Sequence, residues 1–325
     1  MVRHAQYVMG TLVEVTGYSH HQDEDSLRAL LQEAMREFES LERVFNRFDS
    51  ASEFCRVNRE ARATDCPVSE TFFEIVEQGL SYSRLSGGSF SIALDPLTRL
   101  WSDCAEQQRW PAVEKVNRAL RLSDHRLVEL DSRRGTIRFG LPGMGLNLDG
   151  FVKGIATDRA RVLLQKNGIP QAVINAGTSS LAIYSFSNGE TCRIGLRHPS
   201  ENDCMVAILA VSNAAISSSG TGPQAYFLGG RCLSHLIDPE NGYPLEGMLS
   251  ATAVTDSAAL AEVASKMLLF RGLPESAELF EKADWDVDGI RLQPSQDGQP
   301  LHLEYQLSPR TEVEVPHDSC STLSE

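Results

Sequence analysis

Hydrophobic positions along the chain follow two periods, and the switches between them predict a protein that mixes helices and strands. A period near 3.6 appears at Leu27, Leu30, Leu31, Ala34, Met35, Phe38, Leu41 and Phe45, with Glu and Arg opposite, and predicts a long amphipathic helix. It returns after Ser69 through Phe72, Ile75, Val76, Leu80 and Leu85, a helix capped by the serine hydroxyl and stopped at Gly87-Gly88. Further helices are predicted near Val113 to Leu122, from Lys153 to about Asn167, over Ser257 to Phe270 and over Pro274 to Ala283. Alternation or a short continuous apolar run marks strands at Tyr7 to Tyr18, Leu127 to Leu130, Thr136 to Phe139, within Gln171 to Ser180, and at Cys192 to Leu196. Others follow at Val206 to Val211, Ala215 to Gly220, Val287 to Leu292 and Leu301 to Leu307. From 308 to 325 polar residues dominate, and a disordered tail is expected behind a domain of residues 1–307.

A chain of 325 residues with 42% hydrophobic and 23% charged content can bury a large core. Its net charge of -14 argues against a nucleic-acid surface or a polybasic membrane surface, both of which need clustered cations. No apolar run is long enough to span a bilayer, and Met1 to Tyr7 has no apolar leader core. A cytoplasmic location is expected, or a periplasmic one if a leader precedes this sequence. Seven cysteines without a CxxC pattern read as scattered reduced thiols.

The richest stretch chemically is Leu146 to Arg159. It reads as a strand end, a turn with Asn147, Asp149 and Gly150, and a helix that opens with Lys153 and Gly154. Glycines admit a phosphate to the backbone, free helix N–H groups point at it, and a lysine adds a mobile cation. Other pieces suit a cleft edge: Met9-Gly10-Thr11, the polar segment Asn46 to Asn58 with its isolated Phe48, the Ser89-Phe90-Ser91 turn, and the small residues of Asn175 to Ser180 and Ala215 to Gly220. His235 falls at a strand end before Leu236, Ile237 and an Asp238-Pro239 turn. Glu262 and Lys266, four residues apart on the helix from Ser257, read in isolation as an ion pair on a solvated face.

The order of these motifs carries what no single one does. Met9-Gly10-Thr11, Ser52-Glu53-x-x-Arg56-x-Asn58, Gly87-Gly88-Ser89-Phe90 and Gly150-x-x-Lys153-Gly154-x-Ala156-x-Asp158 resemble, in sequence and spacing, the ApbE family. So do Asn175-Ala176-Gly177, Ala215 to Gly220 and His235-Leu236-Ile237-Asp238-Pro239-x-x-Gly242-x-Pro244, and the resemblance spans about residues 5–305. It implies an α+β fold of two intertwined lobes with a flavin-nucleotide cleft. The implied activity is that of an FAD:protein FMN transferase, which cleaves FAD with Mg2+ and attaches FMN through a phosphoester to a Thr or Ser of a flavoprotein. It further implies flavin or adenine contacts from Met9, Phe48, Ser89, Phe90, Ser91, Asn147, Lys153 and Leu236, catalysis by His235 and Lys153, and metal positions at Gly150, Glu262 and Lys266.

Four positions depart from the family pattern: Ser91, Asn147 and Glu262 stand where the family usually has Asp, and Lys266 where it has Thr. An ammonium cannot ligate magnesium, which demands hard oxygen donors. Either Glu262 and Asp149 hold the metal differently, or the Lys266 ammonium takes its place. The second possibility leads to an alternative reading, a flavin binder with little or no transferase activity.

Overall fold

The computed structural model describes the chain apart from residues 20, 63, 178, 185–190, 199–203, 222–224, 248–249, 294–300, 316–322 and 325. Thr178, within the expected strand Gln171 to Ser180, and Cys320, one of the seven cysteines, therefore lie outside the described residues. The chain forms two compact units, each assembled from separated segments: residues 1–42, 151–220 and 248–325 make the first, and 43–150 with 221–247 the second.

The chain opens with β1 (Val2–Val8) and β2 (Thr11–Tyr18), paired antiparallel from Val2 opposite Gly17 to Val8 opposite Thr11. The two residues between them, Met9 and Gly10, both have positive φ, at 53° and 72°, as a tight two-residue hairpin requires. The single strand expected over Tyr7 to Tyr18 is thus corrected to a hairpin with Met9 at its tip. Helix α1 (Glu24–Phe45) follows, and Leu27 and Leu31 lie so close over Gly17 that any side chain there would press on them at 3.0 Å.

The second unit begins after α1. Helix α2 (Glu53–Glu60), capped by Ser52, takes up the second half of the polar segment Asn46 to Asn58 and runs two residues beyond it. Then come β3 (Cys66–Pro67) and α3 (Glu70–Leu85), whose cap Ser69 accepts from the Phe72 N–H as predicted. Helix α4 (Asp95–Glu106), absent from the helices expected above, starts with Pro96 in its first turn, where the missing N–H costs nothing. Helix α5 (Val113–Leu122), β4 (Val128–Asp131) and β5 (Thr136–Phe139) close this segment, and β3, β5 and β4 form a small sheet.

The chain returns to the first unit through α6 (Val152–Lys166), β6 (Gln171–Ala176), β7 (Ser180–Tyr184), β8 (Cys192–Arg197), β9 (Met205–Val211) and β10 (Ala214–Gly220). A second excursion, β11 (Ala225–Leu228), β12 (Arg231–Ile237) and β13 (Pro244–Glu246), adds a three-stranded sheet to the second unit. There Leu228, Leu233 and Ile237 join Leu97, Trp101 and Val116 in one core, and the Trp101 indole donates to the Gly242 carbonyl at 2.8 Å.

The first unit is completed by β14 (Ser250–Thr255), α7 (Ala258–Arg271), α8 (Leu273–Lys282), β15 (Asp288–Gln293), β16 (Leu301–Gln306), β17 (Thr311–Glu314) and β18 (Leu323–Ser324). Among the described residues its main sheet has nine strands in the order β1-β2-β6-β7-β10-β14-β15-β16-β18, antiparallel except at the last pair. Ile183, Leu209, Val211, Ile216, Val254 and Ile290 fill a core between this sheet and the small sheet β17-β9-β8.

Two expectations are corrected here. Disorder from residue 308 onward fails for β17, whose Thr311 pairs with Val211 and Glu314 with Ile208. Ser308, Arg310 and Thr311 all donate to the buried Asp288 carboxylate, which fastens this segment to β15. The cysteines are not all reduced either: Cys204 is disulfide-bonded, while Cys55, Cys66, Cys104, Cys192 and Cys232 are free thiols.

Helices α6 and α7 pack closely because Gly154 has no side chain. A Cβ at that position would sit 2.6 Å from the Ala258 carbonyl oxygen and 2.7 Å from the Ala259 Cα, both of them backbone atoms that cannot swing away. Gly154 was expected to let a phosphate approach; its contact is with α7. Gly154→Ala is expected to cost about 1–3 kcal/mol, the usual penalty for overpacking, read as a lowered urea midpoint at an unchanged slope.

Candidate active site

Helix α6 starts at Val152 with Phe151 as its N-cap, and Phe151 supplies no side-chain hydrogen bond. Lys153 is therefore in the first turn, at the end of the helix that favours anions. Its ammonium donates to Ser179 Oγ at 3.0 Å and to Glu262 Oε1 at 3.0 Å. Lys153 keeps 20% of its side-chain surface exposed while Glu262 keeps 3%, so the carboxylate is the buried partner and the lysine the one facing outward.

Glu262 and Lys266 do not lie on a solvated face. Helix α7 buries nearly every residue from Ala258 to Leu269, Glu262 included. The Lys266 ammonium donates to the Glu262 main-chain oxygen at 2.9 Å, one turn back. Its residue is half-buried, the least enclosed of the helix between Ala258 and Leu269. Burial draws its pKa from 10.5 down to about 8; Glu262 opposes the shift and the nearby Lys153 charge adds to it. The cluster therefore contains two amino groups around one carboxylate, with Glu262 Oε2 buried and without a hydrogen-bond partner among the described residues.

Residues that the sequence did not single out hold this arrangement. Asp158, on α6, accepts from Ser257 Oγ at 2.8 Å, the Ala258 N–H at 2.8 Å and the Ala259 N–H at 3.0 Å, so it covers the N-terminus of α7. Ser265 on α7 shares a 2.8 Å hydrogen bond with Ser219 of β10 and donates to the Glu262 carbonyl. Asp158 stood in the quoted motif without a role; Ser265 and Ser179 gave no signal beyond being small and polar.

Met9 also belongs to the first unit, and its N–H donates to Glu42 Oε1 at 2.8 Å. Phe48, Ser89, Phe90, Ser91, Asn147, Gly150, His235 and Leu236 belong to the second. Phe48 is 91% exposed, with the Arg47 guanidinium 5.6 Å from its ring centre. Ser89, Phe90 and Ser91 are buried, and Ser91 Oγ accepts from the Ala93 N–H. Asn147 donates to Thr98 Oγ1 and accepts from the Asp149 N–H. Asp149 itself pairs with Arg47 at 2.6 Å. His235 is exposed on β12, and the Leu236 N–H donates to Ser234 Oγ.

The residues at the implied metal positions on α7 do not fit a magnesium ion. Magnesium requires a tight octahedron of oxygens, yet Glu262 already gives one oxygen to Lys153, and Lys266 brings a second positive group within its reach. Ser265, the neighbouring hydroxyl, is engaged by Ser219. No group of three or more His, Cys, Asp or Glu side chains able to hold a metal exists among the described residues.

Similarity to known proteins extends along most of the chain. It is 24% identical over 292 residues to an FAD:protein FMN transferase of Klebsiella pneumoniae, covering 89% of this chain and 88% of that one. It is 26% identical over 255 residues to an Escherichia coli K12 protein of the same name, covering 77% and 72%. Among solved structures, the fold matches the ApbE protein of Thermotoga maritima with a TM-score of 0.78 at 20% identity, over 89% of this chain and 93% of that one. It matches the flavin transferase ApbE of Vibrio cholerae with a TM-score of 0.76 at 21% identity, over 95% and 97%. The model of the ApbE family matches residues 9–290, and that span takes in both α6 with Lys153 and α7 with Glu262 and Lys266, so the chain belongs to the ApbE family.

Proposed function

We propose that this protein is an FAD:protein FMN transferase, an enzyme that takes FAD as substrate and a flavoprotein as acceptor. The observation that carries the reading is the Lys153 ammonium in the first turn of α6, held by Glu262 and Ser179. A cation fixed at a helix N-terminus suits a bridging diphosphate, and relatives along most of the chain bear the name of that activity.

In the proposed reaction, a Thr or Ser hydroxyl of the acceptor attacks the phosphorus on the riboflavin side of the FAD diphosphate. The bond from that phosphorus to the bridging oxygen breaks, and AMP departs with that oxygen and its charge. The hydroxyl proton passes to a base, and the His235 imidazole is the candidate. Lys153 neutralises the charge that grows on the diphosphate as the bond breaks. Met9, Phe48, the Ser89-Phe90-Ser91 turn, Asn147 and Leu236 are proposed to receive the flavin and the adenine. No observation favours the alternative of a flavin binder that has lost transfer.

The proposal is tested by incubating the protein with FAD and a candidate acceptor peptide, followed by mass spectrometry. An FMN-phosphoester adduct on Ser or Thr, with AMP released in equal amount, is expected. FAD left intact with every acceptor tried would overturn the reading.

A further inference from the structure

We infer that the Lys153 and Lys266 ammoniums together take the place of a divalent cation at the substrate diphosphate, so that flavin-nucleotide binding and FMN transfer proceed without magnesium. The inference rests on the function proposed above and deepens it. Its basis is the composition of the cluster on α6 and α7. Glu262 is the carboxylate with a described bond to Lys153, and its Oε1 is taken by that lysine at 3.0 Å. Lys266 is tied to the main-chain oxygen of the same glutamate at 2.9 Å. A dication entering here would meet one ammonium bonded to the carboxylate, a second bonded to the main chain of the same residue, and a hydroxyl, Ser265, that is engaged elsewhere.

The same cluster suits an anionic polyol. An ammonium has three N–H donors, and Lys153 uses two of them, leaving one with no partner among the described residues. Glu262 Oε2 is buried and without a hydrogen-bond donor among the described residues, so one acceptor also stands open there. Cations for phosphate oxygens beside an acceptor for a sugar hydroxyl are what a sugar-linked diphosphate needs. With Lys266 in place, Glu262 acts as the counter-ion that holds two lysines together.

The test uses the full-length protein stripped of metal with a chelator, titrated with FAD by flavin fluorescence in EDTA and again in Mg2+, with transfer followed by mass spectrometry in both buffers. Affinity and transfer rate are expected to agree within about twofold between the buffers. Magnesium improving either by about tenfold or more overturns the inference and leaves the proposed function standing; FAD failing to bind in both buffers overturns the proposed function as well. Lys266→Met, with its helix content checked by circular dichroism, is expected to lose about ten- to a hundredfold in FAD affinity in EDTA, the worth of one charge-assisted hydrogen bond. Lys266→Arg, which keeps the charge, is expected to retain most of that affinity. Wild-type affinity in Lys266→Met, or loss of affinity in a folded Lys266→Arg as large as in a folded Lys266→Met, overturns the inference.

Discussion

Lys153→Met is expected to destabilise the protein by about 3 kcal/mol, the low end of the range for breaking a buried ion pair by removing one partner. The reason lies with the residue left behind. Glu262 is 3% exposed, its Oε2 already lacks a partner among the described residues, and loss of Lys153 also strips Oε1 of its donor. Lys266 softens the loss because its charge remains on the same helix, although its described bond is to the main chain. The companion variant Glu262→Gln in the Lys153→Met background removes the stranded charge and is expected to recover most of the stability. Urea unfolding of the two single variants and the double variant gives the cycle. A Lys153→Met protein within about 0.5 kcal/mol of wild type would show that Glu262 is not a buried charge dependent on Lys153.

Lys266 makes stability rise with pH, the reverse of a lysine whose pKa a partner has raised. Its pKa in the folded protein is about 8, against 10.5 in the unfolded chain, so between those values the unfolded chain holds a proton that the folded one has released. Stability from this group therefore rises with pH across that window. Below about pH 8 the full cost of enclosing the ammonium is present, up to about 3 kcal/mol. Free thiols at Cys66, Cys104 and Cys192 and the phenols of Tyr184 and Tyr226 have pKa values raised by burial, and they act in the other direction above pH 9. The clean quantity is thus the difference between Lys266→Met and wild type, in which those groups cancel. The variant is expected to be the more stable protein at pH 7, with its advantage shrinking as pH rises from 8 to 10.5. A difference constant across that range would sink the assignment.

Much of the architecture was legible in the chain because single-face burial leaves a period behind. The α1 stripe, the Ser69 cap of α3, β5, α5 and the α6 helix all lie where the pattern put them. The β1-β2 hairpin was missed because its tip is Met9, a residue that carries no turn signal, in a conformation usually left to Asn or Gly. Helix α4 was missed for another reason. Its apolar positions Leu97, Trp101 and Cys104 do recur at helical spacing, but Gly-Gly-Ser before them reads as a loop. Helix α7 misled in the opposite sense: it is buried on nearly all sides, so Glu262 looked solvated when it is buried and Lys266 when it is half-buried. The meeting of Lys153 with Glu262, 109 residues away, leaves no trace in any local pattern. The local patterns named Lys153 as a phosphate cation and Glu262 as half of a surface pair, the family resemblance named both as site residues, and neither paired them with each other.

The splitting of each unit across the chain bears on how the protein is made. The first hairpin, β1-β2, leaves the ribosome early, but β6, the strand that covers its open edge, begins only at Gln171, after the whole 43–150 segment has emerged. β10 waits in the same way for β14, across the 221–247 insertion. A nascent chain is therefore left holding uncovered strand edges through most of its synthesis, and a product cut short at residue 247 would retain one at β10. A stalled translation product of this gene should be a chaperone client rather than a half-working enzyme.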